Sequence, residues 1–300
     1  MLSRYRGCML GAAIGDALGM PQETLAPSLS RLRGGYGKPL RRHPNEGLGP
    51  GQFTDDTQIM LCAAELLAEE EFSPMEYGSR MAGLHARRQL RFPDGTVATA
   101  CARITAGLPD SGRNSTTSGC MALAVPFALA YRNGDEMCDN LRSACEVTHI
   151  HPAAYGATIS YALFLRAVMH RHPHPFRVAE EIAGEYDIQL QRCIKNALAL
   201  EKEGLSLESA LISVGNDVAV FHTYPLALFL ISRFGQDEAL LSVAAHVGGN
   251  TDTIGFICGS WLGASEGTAA FSSDLVVQLE DQARIQETAE QLFDVVSGKD

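Results

Sequence analysis

Apolar residues recur at helical spacing along most of the chain. In residues 57–71 they fall three or four positions apart, on one side of a helix with 3.6 residues per turn, and the segment ends in acidic residues. Ser73 followed by Pro74 predicts another helix start, because serine caps a first turn in which proline needs no N–H. No segment alternates as a β-strand does. Helical spacing also predicts helices over residues 152–170, 222–234, 236–247 and 276–296.

Nothing in the sequence separates two domains. The only stretch rich in proline and histidine, residues 170–176, is too short for a free linker. The N-terminal residues 1–20 superficially resemble a secretory signal, but their apolar stretch contains Asp16, no small-residue cleavage site follows, and the apolar stretch is too short to span a bilayer. We therefore expect a buried N-terminal helix and a single all-α domain over residues 1–300.

Glycine recurs every fourth residue in two segments, which places each set in a smooth stripe on one helix face. Each interior glycine costs about 1 kcal/mol of helix propensity relative to alanine. A sequence that accepts this repeatedly needs a close approach of two backbones. Tight packing explains the stripes by itself, and polar residues at their ends favour two central helices behind a site. The stripes are Gly7, Gly11, Gly15, Gly19 and Gly255, Gly259, Gly263.

Composition and charge limit the classes of protein to which this chain can belong. The 300 residues are 46% apolar and 20% charged, which is typical of a globular protein. A net charge of -11 without a lysine or arginine cluster argues against nucleic-acid binding. The eight cysteines form no Cys-x-x-Cys pair, which favours reduced core thiols. We expect a soluble cytoplasmic protein, monomeric or weakly oligomeric, that does not contact a membrane.

Two oxygen-rich clusters each precede an apolar helix. Thr54-Asp55-Asp56 precedes the first of these helices, and Asn250-Thr251-Asp252-Thr253 follows two glycines. Carboxylates near a helix N-terminus are also stabilised by the helix dipole, so each cluster has a structural explanation of its own. Together they contain the carboxylate, hydroxyl and amide oxygens that hard divalent cations prefer. If the two turns face each other, they can share a pair of ions.

Three further segments have weaker chemical signals. Glu23 follows the first glycine stripe, where a lone carboxylate is usually only solvated. Residues 118–121 (Ser-Gly-Cys-Met) can present N–H groups to phosphate or simply cap a helix. The pair His149 and His151 has ligand spacing for zinc, but no third ligand lies nearby in sequence, which disfavours a zinc site.

These motifs, in this order, resemble the ADP-ribosylglycohydrolase family. The resemblance covers most of the chain. It is most specific for the N-terminal glycine segment with its glutamate, for the first metal motif and for the last glycine-striped helix, and weaker for the two segments between. The matching segments are GCMLGAAIGDALGMPQE (7–23), FTDDT (53–57), SGCMALAVP (118–126), THIHP (148–152) and GGNTDTIGFICGSWLGA (248–264).

The resemblance implies an all-α fold with two divalent cations, Mg²⁺ or Mn²⁺, and an ADP-ribosylated protein or a small ADP-ribosyl compound as substrate. It implies that Glu23 lies at the scissile bond and that Asp94 lines the site. The catalytic residues we expect are Asp55 or Asp56, which deliver the nucleophile, and Glu23 or Asp94, which assist proton transfer. The implied metal ligands are Thr54, Asp55, Asp56, Asn250, Asp252 and Thr253. The implied substrate-binding residues are Ser118, Gly119, Met121 and His151.

Two departures from the family pattern bear on activity. Asn250 stands where the family usually has aspartate, which removes one negative charge and predicts that one ion binds more weakly. Ala122 stands where an arginine is usual, and Thr117 where an asparagine is usual, which changes the substrate-binding segment.

The leading hypothesis is therefore a metal-dependent hydrolase that removes ADP-ribose from a modified acceptor, with ADP-ribosyl-arginine favoured. One alternative is an attenuated, crystallin-like relative that binds ADP-ribose without cleaving it. Another is a hydrolase of a different ribosyl or nucleotide substrate.

Overall fold

The computed structural model describes residues 1–32, 34–237 and 239–298. Helices account for 68% of the chain, and the described residues contain two isolated bridges but no β-strand, so the all-α prediction is confirmed. The helices of the described residues are α1 (Leu2–Gly19), α2 (Asp55–Ala68), α3 (Pro74–Ala86), α4 (Gly95–Thr105), α5 (Ala124–Ala130), α6 (Gly134–Glu146), α7 (Pro152–Met169), α8 (Pro175–Tyr186), α9 (Ile188–Lys202), α10 (Leu207–Val214), α11 (Val220–Phe234), α12 (Ala239–Ala244), α13 (Thr251–Glu266), α14 (Ser273–Gln278) and α15 (Gln282–Ser297).

Helices α1 and α13 form an antiparallel pair at the centre of the fold. A Cβ built on any glycine of one stripe would overlap the backbone of the other helix, so only glycine permits this separation. At such distances Cα–H groups meet carbonyl oxygens, which adds weak but repeated attraction. Both helices are buried along most of their length. The two stripes meet in the pairs Gly7–Gly263, Gly11–Gly259 and Gly15–Gly255.

The other helices surround this pair. Helices α2, α5 and α15 contact α1, whereas α7 and α11 contact α13 and are covered in turn by α8 and α9. None of the helices in the described part combines the length and the apolar character that crossing a bilayer requires.

Most predicted helices agree with the structure to within a few residues. The buried N-terminal helix is α1, and the segments 57–71, 152–170 and 222–234 correspond to α2, α7 and α11. Ser73 caps α3 as predicted, because its hydroxyl accepts the N–H of Glu76.

The prediction of one helix over residues 276–296 is wrong. The chain forms α14 and α15 with a break at residues 279–281, where Asp281 adopts a left-handed φ of 53°. The N–H of Glu280 donates to the carbonyl of Gly51, in a distant loop, instead of to its own helix. A tertiary hydrogen bond therefore overrides the local helical pattern.

The predicted helix over residues 236–247 is much shorter than expected. Glu238 lies outside the described residues, and α12 ends at Ala244. The carbonyls of His246 and Val247 accept hydrogen bonds from Ser28 and Asn216, which are distant in sequence. These contacts draw the chain out of the helix before the turn that leads to α13.

Candidate metal and active site

The two oxygen-rich turns meet in the folded chain. Thr54 stands at the N-terminus of α2 and Asn250 at the N-terminus of α13. The hydroxyl oxygen of Thr54 lies 3.3 Å from Asp252 Oδ2, across 198 residues of sequence. The side chain of Thr253, in the opposite turn, partly offsets the rise in the pKa of Asp56 that burial causes. The predicted cluster therefore exists as one constellation, enclosed between α1, α2 and α13.

Asp16 of α1 anchors the first turn, and sequence reasoning did not assign it to the site. Its two carboxylate oxygens accept the N–H and hydroxyl of Thr54 at 2.9–3.2 Å and those of Thr57 at 2.6 and 3.1 Å. Asp16 is fully buried. The available signal was a lone charge within the apolar stretch from Cys8 to Met20.

Burial and mutual repulsion raise the pKa values of the site carboxyls. The side chains of Asp55, Asp56 and Asp252 are only 6%, 3% and 4% exposed. Burial raises the pKa of Asp252 to about 7, and the charge of Asp16 contributes. Burial also raises the pKa of Asp55, with Asp56 and Asp252 as charged neighbours, and the pKa of Asp56, with Asp252 and Asp16 as charged neighbours. In the described part of the chain, no lysine or arginine pairs with these three groups.

The unpartnered oxygens of this cluster fit divalent cations. Asp56 Oδ2 and Asp252 Oδ1 are buried without a hydrogen-bond partner. The single hydrogen of Thr54 Oγ1 can serve either Asp16 or Asp252, so one of these contacts lacks a donor. Buried carboxylates that repel each other require a positive charge or protons. Hard cations with oxygen ligands supply that charge.

The metal ligands nevertheless remain a prediction. Within the described ranges, no group of three or more His, Cys, Asp or Glu side chains is arranged to hold a metal ion. The three aspartates of the predicted ligand set, Asp55, Asp56 and Asp252, do not form such a group by themselves.

Glu23 lies beside this cluster and is held by a loop. Asn45 Nδ2 donates to Glu23 Oε2 at 2.7 Å, and the His43 ring contacts the Glu23 carbonyl at 2.7 Å. His43 and Asn45 are buried, although most of the surrounding loop is exposed. Burial, followed by the charge of Asp252, raises the pKa of Glu23 to about 10. Glu23 therefore retains its proton at neutral pH.

Asp94 has the opposite electrostatic character. It caps α4 through the N–H groups of Thr96 and Val97, and its Oδ2 has no hydrogen-bond partner. Burial raises its pKa, but hydrogen bonding and the charge of His149, whose Nε2 is 3.8 Å away, outweigh burial and bring the pKa to about 2. Asp94 is therefore ionised, and its charge raises the pKa of Asp55.

His149 is the second residue that sequence reasoning did not place in the site. Its ring is completely buried between Thr117 Oγ1 and Thr148 Oγ1, each 2.8 Å from a ring nitrogen. Burial lowers its pKa, but the neighbouring Cys120 and Asp94 raise it to about 10. The His-x-His pair serves two separate purposes, because His151 instead caps α7 by accepting the N–H of Ala153.

Asn250 uses its amide as a donor. Its Nδ2 donates to Ser118 Oγ at 2.9 Å and to Thr223 Oγ1 at 3.0 Å. The hydroxyl of Thr223 in turn donates to the carbonyl of Asp217 at 2.7 Å. Thr223 therefore offers Asn250 only a lone pair, which suits an amide better than a carboxylate.

The remaining predicted substrate residues lie around this contact. Ser118 joins Asn250, and Gly119 packs against Asp94 so closely that a Cβ there would overlap Asp94 Oδ2. Met121 is fully buried, and its N–H donates to the carbonyl of Ser118. His151 is half-buried at the start of α7. Substrate binding by these four residues stays a prediction.

Comparison with known proteins agrees with this architecture. Residues 1–300 match the sequence profile of the ADP-ribosylglycohydrolase family. An uncharacterized protein of Archaeoglobus fulgidus is 26% identical over 98% of this chain and 97% of its own length. ADP-ribosylhydrolase ARH3 of Danio rerio is 24% identical over 98% of this chain and 91% of its own length. A solved structure named ADP-ribosylglycohydrolase-related protein complex has the same fold, with a TM-score of 0.80 at 24% identity over 98% of both chains.

Proposed function

Because the chain belongs to the ADP-ribosylglycohydrolase family, we propose that it is a hydrolase that releases ADP-ribose from a modified acceptor in the cytoplasm. The acceptor is a protein or a small molecule. The observation that supports this most is the meeting of two distant turns around buried, unpaired carboxylates.

The proposed cofactor is a pair of Mg²⁺ or Mn²⁺ ions. Divalent cations at such a centre stabilise developing negative charge and orient hydroxyl groups and water. The residues that would hold them are Thr54, Asp55, Asp56, Asn250, Asp252 and Thr253.

The carboxyls around the cluster divide the proton chemistry among them. Asp55 or Asp56 is the candidate to orient the attacking water, because both start α2 and face the second turn. Burial and the charge of Asp252 raise the pKa of Glu23 in the cation-free protein, which favours its protonated form, so Glu23 is the candidate to donate a proton to the departing acceptor. The paired carboxyls of glycosidases are an analogy for this division of roles.

Asp94 supports a cationic acceptor. It is the carboxyl of this site whose pKa is lowered, to about 2, so it is negatively charged whenever the enzyme works. The charge of His149 lies on one side of Asp94, but Oδ2 has no hydrogen-bond partner, so a guanidinium group bound beside it would find a free acceptor on an ionised carboxylate. On this ground we favour ADP-ribosyl-arginine as substrate, with Ser118, Gly119, Met121 and His151 contacting the ADP-ribose portion.

Substitution of the two turns tests the proposal. Asp55→Ala and Asp252→Ala should each abolish release of ADP-ribose from ADP-ribosyl-arginine protein assayed with Mg²⁺ or Mn²⁺. Asp274→Ala is the matched control, because Asp274 also lies in the first turn of a helix but is exposed. Normal turnover by either site variant would rule out the assignment. An ADP-ribosyl-serine substrate assayed in parallel tests the preference for arginine.

Asn250 favours a second candidate, a protein that binds ADP-ribose with little turnover. Its amide is committed to Ser118 and Thr223 and brings no negative charge to the metal turn. Calorimetry with ADP-ribose, with and without Mg²⁺, combined with the cleavage assay, separates binding from turnover. A large gain of activity in Asn250→Asp would show attenuation, whereas a loss would show that the amide belongs to a working site.

A further inference from the structure

Arg91 and Glu280 together hold the first metal turn, residues 54–56, from outside the site. We call this pair of residues the brace. Arg91 Nη1 donates to the carbonyl of Phe53 at 2.9 Å, and the Arg91 carbonyl accepts the N–H of Asp55 at 3.1 Å. The guanidinium also lies 5.1 Å from the centre of the Phe53 ring. Arg91 therefore grips the backbone on both sides of Thr54, whose own N–H is held by Asp16.

Glu280 holds Arg91 in place from the break between α14 and α15. Its two carboxylate oxygens accept from Nη1 and Nη2 of Arg91 at 2.5 and 2.9 Å, in a two-pronged contact. Gln52 Nε2 donates to the same carboxylate at 2.8 Å, and the Glu280 N–H donates to the carbonyl of Gly51. A Cβ on Gly51 would overlap the carbonyl of Gln278, so the two segments are in direct contact.

This arrangement accounts for the helix break. A continuous helix would direct the Glu280 N–H to its own preceding turn and would remove its bond to Gly51. Local pattern and observed structure disagree here, and such disagreements concentrate at functional positions.

We infer that Arg91 and Glu280 are positioning residues that fix the backbone from Phe53 to Asp55 and thereby set the carboxylates of Asp55 and Asp56 toward the second turn. The inference rests on the proposed metal-dependent function. Neither residue is among the proposed metal ligands or substrate-binding residues. Their effect is local, because a partly exposed ion pair contributes little to global stability, and both side chains are 24% exposed.

Glu65 provides a matched control. It pairs with Arg284 of α15 at 2.6 Å, its side chain is 25% exposed, and it lies on α2 several turns away from the metal turn. Glu280→Gln and Glu65→Gln therefore make the same chemical change at two glutamates of similar exposure that each pair with an arginine.

The test is Mn²⁺ affinity measured by calorimetry on the full chain, with thermal unfolding recorded for each variant. Glu280→Gln should weaken Mn²⁺ binding about tenfold, whereas Glu65→Gln should change it less than twofold at a similar melting temperature. Arg91→Lys keeps the charge but loses the two-pronged contact. Its Mn²⁺ affinity should therefore lie between that of wild type and that of Arg91→Ala.

The outcomes separate the two claims. Suppose that wild type binds Mn²⁺ and that Glu280→Gln does not weaken this binding, or that Glu65→Gln weakens it equally. Either result contradicts the positioning role of the brace and leaves the proposed function standing. A wild-type protein that binds no Mn²⁺ overturns the metal-dependent function and the brace together.

Discussion

At the residue scale, a buried carboxylate that belongs to neither turn organises the site. Asp16 accepts four hydrogen bonds from Thr54 and Thr57 and so fixes the first turn of α2. Its position on α1 ties this turn to the closely packed, buried pair of helices at the centre of the fold. The site therefore depends on a residue that provides geometry rather than chemistry.

We predict that Asp16→Asn weakens both folding and cation binding. The amide has one acceptor oxygen, and its NH₂ would face hydroxyl and N–H donors, so some of these would stay unsatisfied. An unsatisfied buried donor costs about 1–3 kcal/mol. Urea denaturation and Mn²⁺ calorimetry measure the two effects.

Asp187→Asn is the control for this substitution. Asp187 caps α9 by accepting the N–H of Leu190, a role that asparagine fills about as well as aspartate. A result in which Asp16→Asn is as stable as Asp187→Asn would contradict the anchoring role of Asp16.

Glu23 makes the stability of the cation-free protein depend on pH. Its folded-state pKa is about 10, raised from 4.5, so between these values the folded protein holds a proton that the unfolded chain has lost. The stability contributed by this group therefore falls as pH rises through that window. Glu23→Gln cannot titrate, and its amide oxygen can still accept from Asn45.

The free energy of unfolding of Glu23→Gln minus that of wild type should accordingly be larger at pH 8 than at pH 5. Denaturation in the presence of a chelator measures the difference at each pH. An equal difference at both values would mean that Glu23 is already ionised in the folded protein.

The residues of the two turns were easier to recognise from the sequence than the residues that hold these turns in place. The turns are recognisable as candidates because several oxygen-bearing side chains are adjacent in sequence, and the family resemblance then implies the ligand set. Asp16 and His149 reach the site through packing of distant helices, and His149 shares its motif with a histidine that only caps a helix. Arg91 has no local signal, because its partner Glu280 lies 189 residues away.

At the element scale, the site rests on the close pairing of α1 and α13. Their facing glycines allow the backbones to touch, and this brings Asp16 of α1 and Asp252 of α13 within reach of Thr54. The glycine stripes predicted this pairing, because the helical period places all their members on one face. The break between α14 and α15 was not predictable in this way, since its cause is a hydrogen bond to Gly51.

We predict that Gly259→Ala strongly destabilises the protein. The new Cβ would overlap the carbonyl of Gly11, and neither buried backbone can move without disturbing its helix. We expect a loss at or above the upper end of the roughly 1–3 kcal/mol typical of overpacking. Gly134→Ala, where a Cβ meets nothing within 4 Å, should be neutral or slightly stabilising. Equal melting temperatures for the two variants would show that the helices can separate at little cost.

At the scale of the whole molecule, one helical fold brings chemistry from distant parts of the chain to one point. Residues 16, 23, 54–56, 94 and 250–253 all contribute to a cluster of buried carboxyls. Within the described part of the chain, Asp94 has His149 as a cationic neighbour, whereas no lysine or arginine pairs with Asp55, Asp56 or Asp252. The charge excess has to be neutralised by protons or by metal ions. The central claim is that metal ions fill this role in the working protein and that both turns hold them.

Anomalous diffraction from a crystal soaked in Mn²⁺ tests this claim most directly. The account predicts two peaks between the turns, within about 2.0–2.6 Å of oxygens from Asp55 or Asp56 and from Asp252, with the weaker peak on the side of Asn250. The absence of any peak between Asp56 and Asp252 at saturating Mn²⁺ would contradict it.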